Sequence, residues 1–331
     1  MTKLIFTGGR QSDSKLSYFN KEWNNGISGI ILEYDTITKK VCEKINYKTP
    51  EKYRPTKDYS ISFKSGSIHN KKLYITTLTE ILIFSLPDYN MIDRISLKLF
   101  NDLHHVIYYK RNLFIVVTGL DIVLKYSLEK KNIEKIYNCY PELDTWDRFD
   151  NKTDYRKINT TKPHKSHPNH VSIFQNKLFI TRYKQQDVII YSMEGKIIDY
   201  IKINKGIPHD GLLFNNNFTY TTVNGKIIKI NPNNFSKINT IDLNIHEKKG
   251  RSLGWCRGYQ ELNSRSFVGF SRIRPTKFME NIKWLGNKIT DKVKLKMPTR
   301  VIEYNNNFSK INNTIMLEEY KMNWIFSILK Y

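Results

Sequence analysis

HVIYYKRNLFIVVT, residues His105–Thr118, runs on to VLKYS at Val123–Ser127. The first stretch reads as two short strands joined at a polar Lys-Arg-Asn turn. The second reads as a further strand that ends in an aromatic and a small polar residue. Alternating or continuous apolar runs of this length, bounded by turn residues, are strand behaviour. The same phrase returns twice. HVSIFQNKLFITR at His170–Arg182 leads to VIIYS at Val188–Ser192, and HDGLLFNNNFTYT at His209–Thr221 leads to IIKIN at Ile227–Asn231.

The third strand of this unit can be followed along the whole chain. It appears at Ile31–Asp35, Ile81–Ser85, Val123–Ser127, Val188–Ser192, Ile227–Asn231 and Val301–Asn305, six copies in all. Each is followed by a turn and a fourth strand, such as KIIDYI at Lys196–Ile201 or MIDRISL at Met91–Leu97. Four short strands recurring at a period of roughly 40 residues describe the blade of a β-propeller. The expected fold is therefore all-β, a single six-bladed propeller over residues 1–331. Its blades are expected at about 60–98, 103–138, 168–204, 208–243 and 253–318, with 1–50 and 320–331 sharing one.

That shared blade follows from the ends of the chain. The first unit starts at its second strand, LIFTG at Leu4–Gly8, and lacks an innermost one. The segment NWIFSIL at Asn323–Leu329 supplies it. Closing the ring this way leaves fewer exposed sheet edges. Gly8-Gly9 matches no nucleotide-binding motif and reads as a turn.

Composition narrows the function classes. The chain has 331 residues, 40% hydrophobic and 13% aromatic, which is enough for a substantial core. No apolar run approaches the ~18 residues needed to span a bilayer, and the start does not resemble a signal peptide; a cytoplasmic protein is expected. Three cysteines, Cys42, Cys139 and Cys256, are too few and too scattered for a disulfide framework or a Cys-based zinc site, and read as buried structural thiols. The net charge is +23, but the 41 Lys are dispersed along the chain, which argues against a nucleic-acid surface. Three segments exceed ordinary turns: Arg10–Gly26, Cys139–His167 and Pro275–Thr299, the last basic and suited to a lid.

In a propeller the innermost strands line a central channel. The repeat places His105, His170 and His209 at the starts of successive inner strands, with Trp255–Gly258 at the same place in the sixth unit. The ends of the second strands add Thr118, Arg182, Thr222, Ser271 and Arg272, and His104, Asn169 and Asp210 lie nearby. Five of the 13 Arg fall between Arg251 and Arg274. In a Lys-rich chain, Arg marks positions where a planar bidentate donor is wanted.

These blades resemble those of NHL and SMP-30/gluconolactonase-like propellers. The stretches DLHHV (Asp102–Val106), HPNHV (His167–Val171), PHDG (Pro208–Gly211), Arg257-Gly258 and VGFSR (Val268–Arg272) are similar to those of an uncharacterised family of bacterial propeller proteins. The SMP-30 likeness implies a divalent metal at the inner-strand starts held by Glu, Asn and Asp. This chain has His and Arg there, and imidazoles suit iron or zinc better than calcium.

Three readings follow. In the first, His105, His170 and His209 bind one divalent transition metal, iron or zinc, in an enzyme acting on a small anionic substrate. Asn169 or Asp210 would orient a ligand, Arg182, Arg257 and Arg272 would act on the anionic group, and His104, Asn169, Thr118 and Ser271 would line the substrate. In the second, a metal-free group-transfer or lyase enzyme uses a His as base or nucleophile with Arg to stabilise negative charge. In the third, the propeller is a binding scaffold without catalysis.

Overall fold

In a computed structural model, which describes residues 2–12, 26–214, 216–247, 253–272 and 297–331, the chain forms six four-stranded antiparallel sheets arranged in a ring. In chain order, β1 (Lys3–Gln11), β2 (Gly26–Asp35) and β3 (Val41–Tyr47) belong to blade 1. Blade 2 holds β4 (Gly66–His69), β5 (Lys72–Thr76), β6 (Ile81–Ser85) and β7 (Met91–Ile95). Blade 3 holds β8 (Leu103–Tyr109), β9 (Asn112–Val117), β10 (Ile122–Ser127) and β11 (Asn132–Asn138). Blade 4 holds β12 (Pro168–Phe174), β13 (Lys177–Arg182), β14 (Asp187–Ser192) and β15 (Ile197–Lys202). Blade 5 holds β16 (Leu212–Phe214), β17 (Asn217–Thr222), β18 (Lys226–Ile230) and β19 (Lys237–Asp242). Blade 6 holds β20 (Trp255–Leu262), β21 (Arg265–Ser271), β22 (Arg300–Asn305) and β23 (Ile311–Met316). The last strand, β24 (Trp324–Lys330), returns to blade 1 and pairs with β1 from Leu4↔Lys330 to Gly9↔Trp324. The C-terminus thus supplies the innermost strand that the first repeat lacks.

The sequence pattern explains the order within each blade. The third-strand phrases are apolar on both faces, and β6 and β10 are buried almost throughout. Such strands need cover on two sides. The outermost strands alternate or turn polar, and β3 is largely exposed. The core accordingly divides into wedges, one between each pair of neighbouring blades. Phe6, Tyr34 and Phe267 fill the wedge between blades 1 and 6. Phe63, Leu73 and Phe84 fill that between blades 1 and 2, and Phe179, Phe218 and Tyr220 that between blades 4 and 5. Each fully buried side chain of this size contributes roughly 1.5–3 kcal/mol. Every wedge takes residues from two blades, and closing the ring completes the one between blades 1 and 6.

Gly8 and Gly9 lie inside β1, not in a turn. A Cβ on Gly8 would collide with the Trp324 carbonyl oxygen, and one on Gly9 would lie 2.7 Å from the Trp324 indole. The close approach of the closing strand is the reason for two glycines here. Cys139 and Cys256 are buried, where desolvation raises their thiol pKa values; Cys42 is exposed. No helix among the described residues is long and apolar enough to cross a membrane. The Arg10–Gly26 and Pro275–Thr299 segments, with their proposed lid, fall almost wholly outside the described residues, as do Arg251 and Arg274.

Candidate functional site

Four innermost strands, β8, β12, β20 and β24, carry one extra residue at the same point, near the end of the channel where β8 and β12 begin, and in blades 2 and 5 the residues just before β4 and β16 occupy that place. In blade 3, Leu103 pairs with Val117 and His105 with Val116, so His104 has no opposite residue. In blade 4, Pro168 pairs with Arg182 and His170 with Thr181, leaving out Asn169. In blade 1, Ile325 pairs with Gly8 and Ser327 with Thr7, leaving out Phe326. In blade 6, Arg257 and Gly258 lie between the Cys256↔Phe270 and Tyr259↔Val268 pairs, opposite Gly269 alone. In blade 5, Pro208 bridges Thr222 and the His209 N–H donates to the Thr221 carbonyl, with regular pairing resumed at Leu212↔Thr219. In blade 2, Lys64 and Ser65 both bond the backbone of Thr76.

A β-bulge bends its strand and re-aims a side chain. Here the bulges set out His104, Asn169, Arg257 and Phe326, and Lys64 and His209 take the equivalent place before β4 and β16. Their contacts cross the axis. The Phe326 ring of blade 1 lies 6.4 Å from that of His104 in blade 3, and His104 lies 6.5 Å from His209 in blade 5, centroid to centroid. Lys64 Nζ sits 4.1 Å from the Phe326 centroid and the Arg257 guanidinium 4.8 Å from it.

The hydrogen bonds around this ring assign the imidazole nitrogens. His209 Nδ1 lies 2.8 Å from Asp210 Oδ1. Asp210 Oδ2 also accepts from the Gly258 N–H at 2.7 Å and from Thr221 Oγ1 at 2.8 Å. Burial works to raise the Asp210 carboxyl pKa, but His209 and these donors outweigh it and hold it below the ordinary value. An ionised Asp210 takes the proton on His209 Nδ1 and leaves a lone pair on Nε2. That Nε2 is buried with no partner, as are both amide atoms of Asn169 and Nε of Arg257. Burial lowers the pKa of His209, so its ring is neutral at pH 7, and lowers that of Arg257 to about 10, which leaves it charged. His104 Nδ1 faces the Asp102 carbonyl at 2.9 Å, and the Asp102 carboxylate lies 3.6 Å from Lys64.

The long Cys139–His167 segment contributes two further imidazoles. The buried Asp121 carboxylate accepts the N–H groups of Lys165, Ser166 and His167 and pairs with Arg148 at 2.6 Å. So anchored, the segment sets His167 5.2 Å from His104, with its Nδ1 2.8 Å from that of His164. Burial lowers the pKa values of His104, His164 and His167 as well.

The remaining sequence-selected residues are placed differently. His105 and His170 sit one position past the bulges, equivalent to Asp210, with rings stacked 3.7 Å apart at 20°. Among the described residues no three His, Cys, Asp or Glu side chains are grouped to hold one metal ion, and His105, His170 and His209 form no such group here. Arg182 is locked to Asp187 by two bonds of 2.7 Å and donates to the Cys139 carbonyl. Arg272 binds Gln11 and pairs with Glu318. Thr118 donates to the Pro168 carbonyl, and Ser271 donates to the Ile325 carbonyl while accepting from the Ile325 N–H. These four tie blades or loops together. His104, Asn169, His209, Asp210 and Arg257 do meet at the channel. Lys64, Phe326, His164 and His167 join them, and sequence reasoning missed these as site residues.

No family model matches the chain, and no curated protein does. Solved structures do. A protein of unknown function from Bacteroides caccae is similar at a TM-score of 0.62 and 10% identity, covering 100% of this chain and 99% of that one. A chain of a nidogen/laminin complex aligns at 0.59 and 12%, covering 100% and 98%. The β-propeller domain of Cps50 (Swd1) from Myceliophteria thermophila aligns at 0.52 and 10%, covering 88% and 81%. At these identities the likeness shows a shared fold, a β-propeller in the named domain, and carries no activity with it.

Proposed function

We propose that the channel mouth binds a small anionic substrate and that the protein is a His/Arg enzyme of the group-transfer or lyase type. One observation carries this reading: the His209–Asp210 pair leaves a buried, unpartnered Nε2 on the same ring as the Arg257 guanidinium, which makes no hydrogen bond or ion pair among the described residues. Arg257 holds the anionic group of the substrate. His209 Nε2 takes a proton from it as general base, and Asp210 keeps the ring oriented and stabilises the imidazolium that forms. His104, across the axis, is the second group able to carry a proton. Burial among Phe326 and the imidazoles keeps the local dielectric low, which strengthens the Arg257 contact.

The test is binding of phosphate, sulfate and small carboxylates, read by thermal shift on wild type and Arg257→Lys. A rise in melting temperature with one of these anions, lost in the variant, is expected. No stabilisation of wild type by any of them would overturn the proposal and favour a scaffold role.

A further inference from the structure

Buried polar groups in folded proteins are almost always hydrogen-bonded. The ring breaks that rule at Asn169, 2% exposed, and at His209, 5% exposed. Their unspent valences describe what belongs between them. Arg257 asks for an anion. His209 Nε2, with its proton held at Nδ1 by Asp210, accepts only, so it asks for an O–H or N–H. Asn169 has an unspent donor and an unspent acceptor. A plain carboxylate satisfies Arg257 but leaves His209 facing another acceptor. A ligand with a carboxylate and a hydroxyl on neighbouring atoms satisfies all three.

We propose that the ring is built for a short hydroxycarboxylate, its carboxylate on Arg257, its hydroxyl donating to His209 Nε2 and bonded by the Asn169 amide, and its carbon skeleton against Phe326. Asn169 is then the residue that distinguishes a hydroxy acid from the acid lacking that hydroxyl. The inference rests on the reading of the channel mouth as an anion pocket and adds the chemical class of the anion.

The experiment is calorimetric titration with two pairs of equal charge, glycolate against acetate and lactate against propionate. The hydroxy acid is expected to bind at least about tenfold more tightly than its partner, since the lost hydroxyl leaves buried groups unpaired. In Asn169→Leu the gap is expected to shrink severalfold while acetate binding persists. Asn169→Ser serves in its place if near-UV circular dichroism shows that Leu impairs folding. Equal binding within each pair would overturn the hydroxycarboxylate assignment and leave the anion pocket standing. No binding of any of the four would overturn the pocket itself. An undiminished gap in the Asn169 variants would overturn the role given to Asn169.

Discussion

The imidazoles of His105 and His170 stack face to face with centroids 3.7 Å apart, one position below the residues that ring the channel mouth. Both are buried, and desolvation, reinforced for His105 by the neighbouring ring, keeps them neutral. His170 is lowered to about 4. The stack joins blade 3 to blade 4 and works only while neither ring is charged.

Stability should therefore fall in mild acid. Between the folded pKa of about 4 and the ordinary imidazole value of 6.5, the unfolded chain binds a proton at His170 that the folded chain refuses. Stability from this group is complete above pH 6.5 and is lost as the pH drops toward 4, about 3 kcal/mol in all. His104, His105, His164, His167 and His209 act in the same direction. Urea midpoints measured from neutral pH down to pH 4 check this. His170→Phe keeps a stacked ring without a titrating group, so its profile should be flatter. A profile parallel to wild type would show that the stack does not set the acid limit.

Gly258 should be irreplaceable in size and shape. Its φ is +79°, and a Cβ would lie 3.1 Å from the backbone of Ser327 and Ile328 on the closing strand. Its N–H also donates to Asp210. Gly258→Ala is expected to cost about 2 kcal/mol through the left-handed backbone and the crowding. It should also weaken small-anion binding by displacing the His209–Asp210 pair. Equilibrium unfolding and the anion titrations measure the two effects separately.

The metal reading has its own test. The stacked pair and the Asp210-bound His209 predict that purified, untagged protein holds no stoichiometric iron, zinc or copper by elemental mass spectrometry. One equivalent in wild type, lost from a His105→Ala/His170→Ala/His209→Ala triple variant, would mean that metal binding rearranges the rings out of their stack.

Much of the architecture was legible in the sequence because it rests on local patterns. The six VxxYS-like strands are apolar on both faces, and a strand of that kind must be covered twice. The missing inner strand before Leu4 and the surplus strand at Trp324 were complementary, so the closure could be read from the ends. The repeat could suggest that His104, His209, Asp210 and Arg257 lie at one end of the channel, because a repeat brings equivalent positions to one place.

The sequence by itself thus determined the blades, their number and the closing strand, through apolar periodicity and turn residues acting over a few positions. Only the tertiary structure decided which side chains face the channel. A single bulged residue shifts a strand's facing by one, and that shift moved His104 and Asn169 onto the ring and put His105 and His170 into a stack beneath it. It also decided which groups were already engaged. Arg182 is held by Asp187 and Ser271 by Ile325, while His209 and Arg257 keep unspent atoms. The Ser271–Ile325 bond and the channel contacts join parts of the chain far apart in sequence, and their geometry is fixed only once the ring closes.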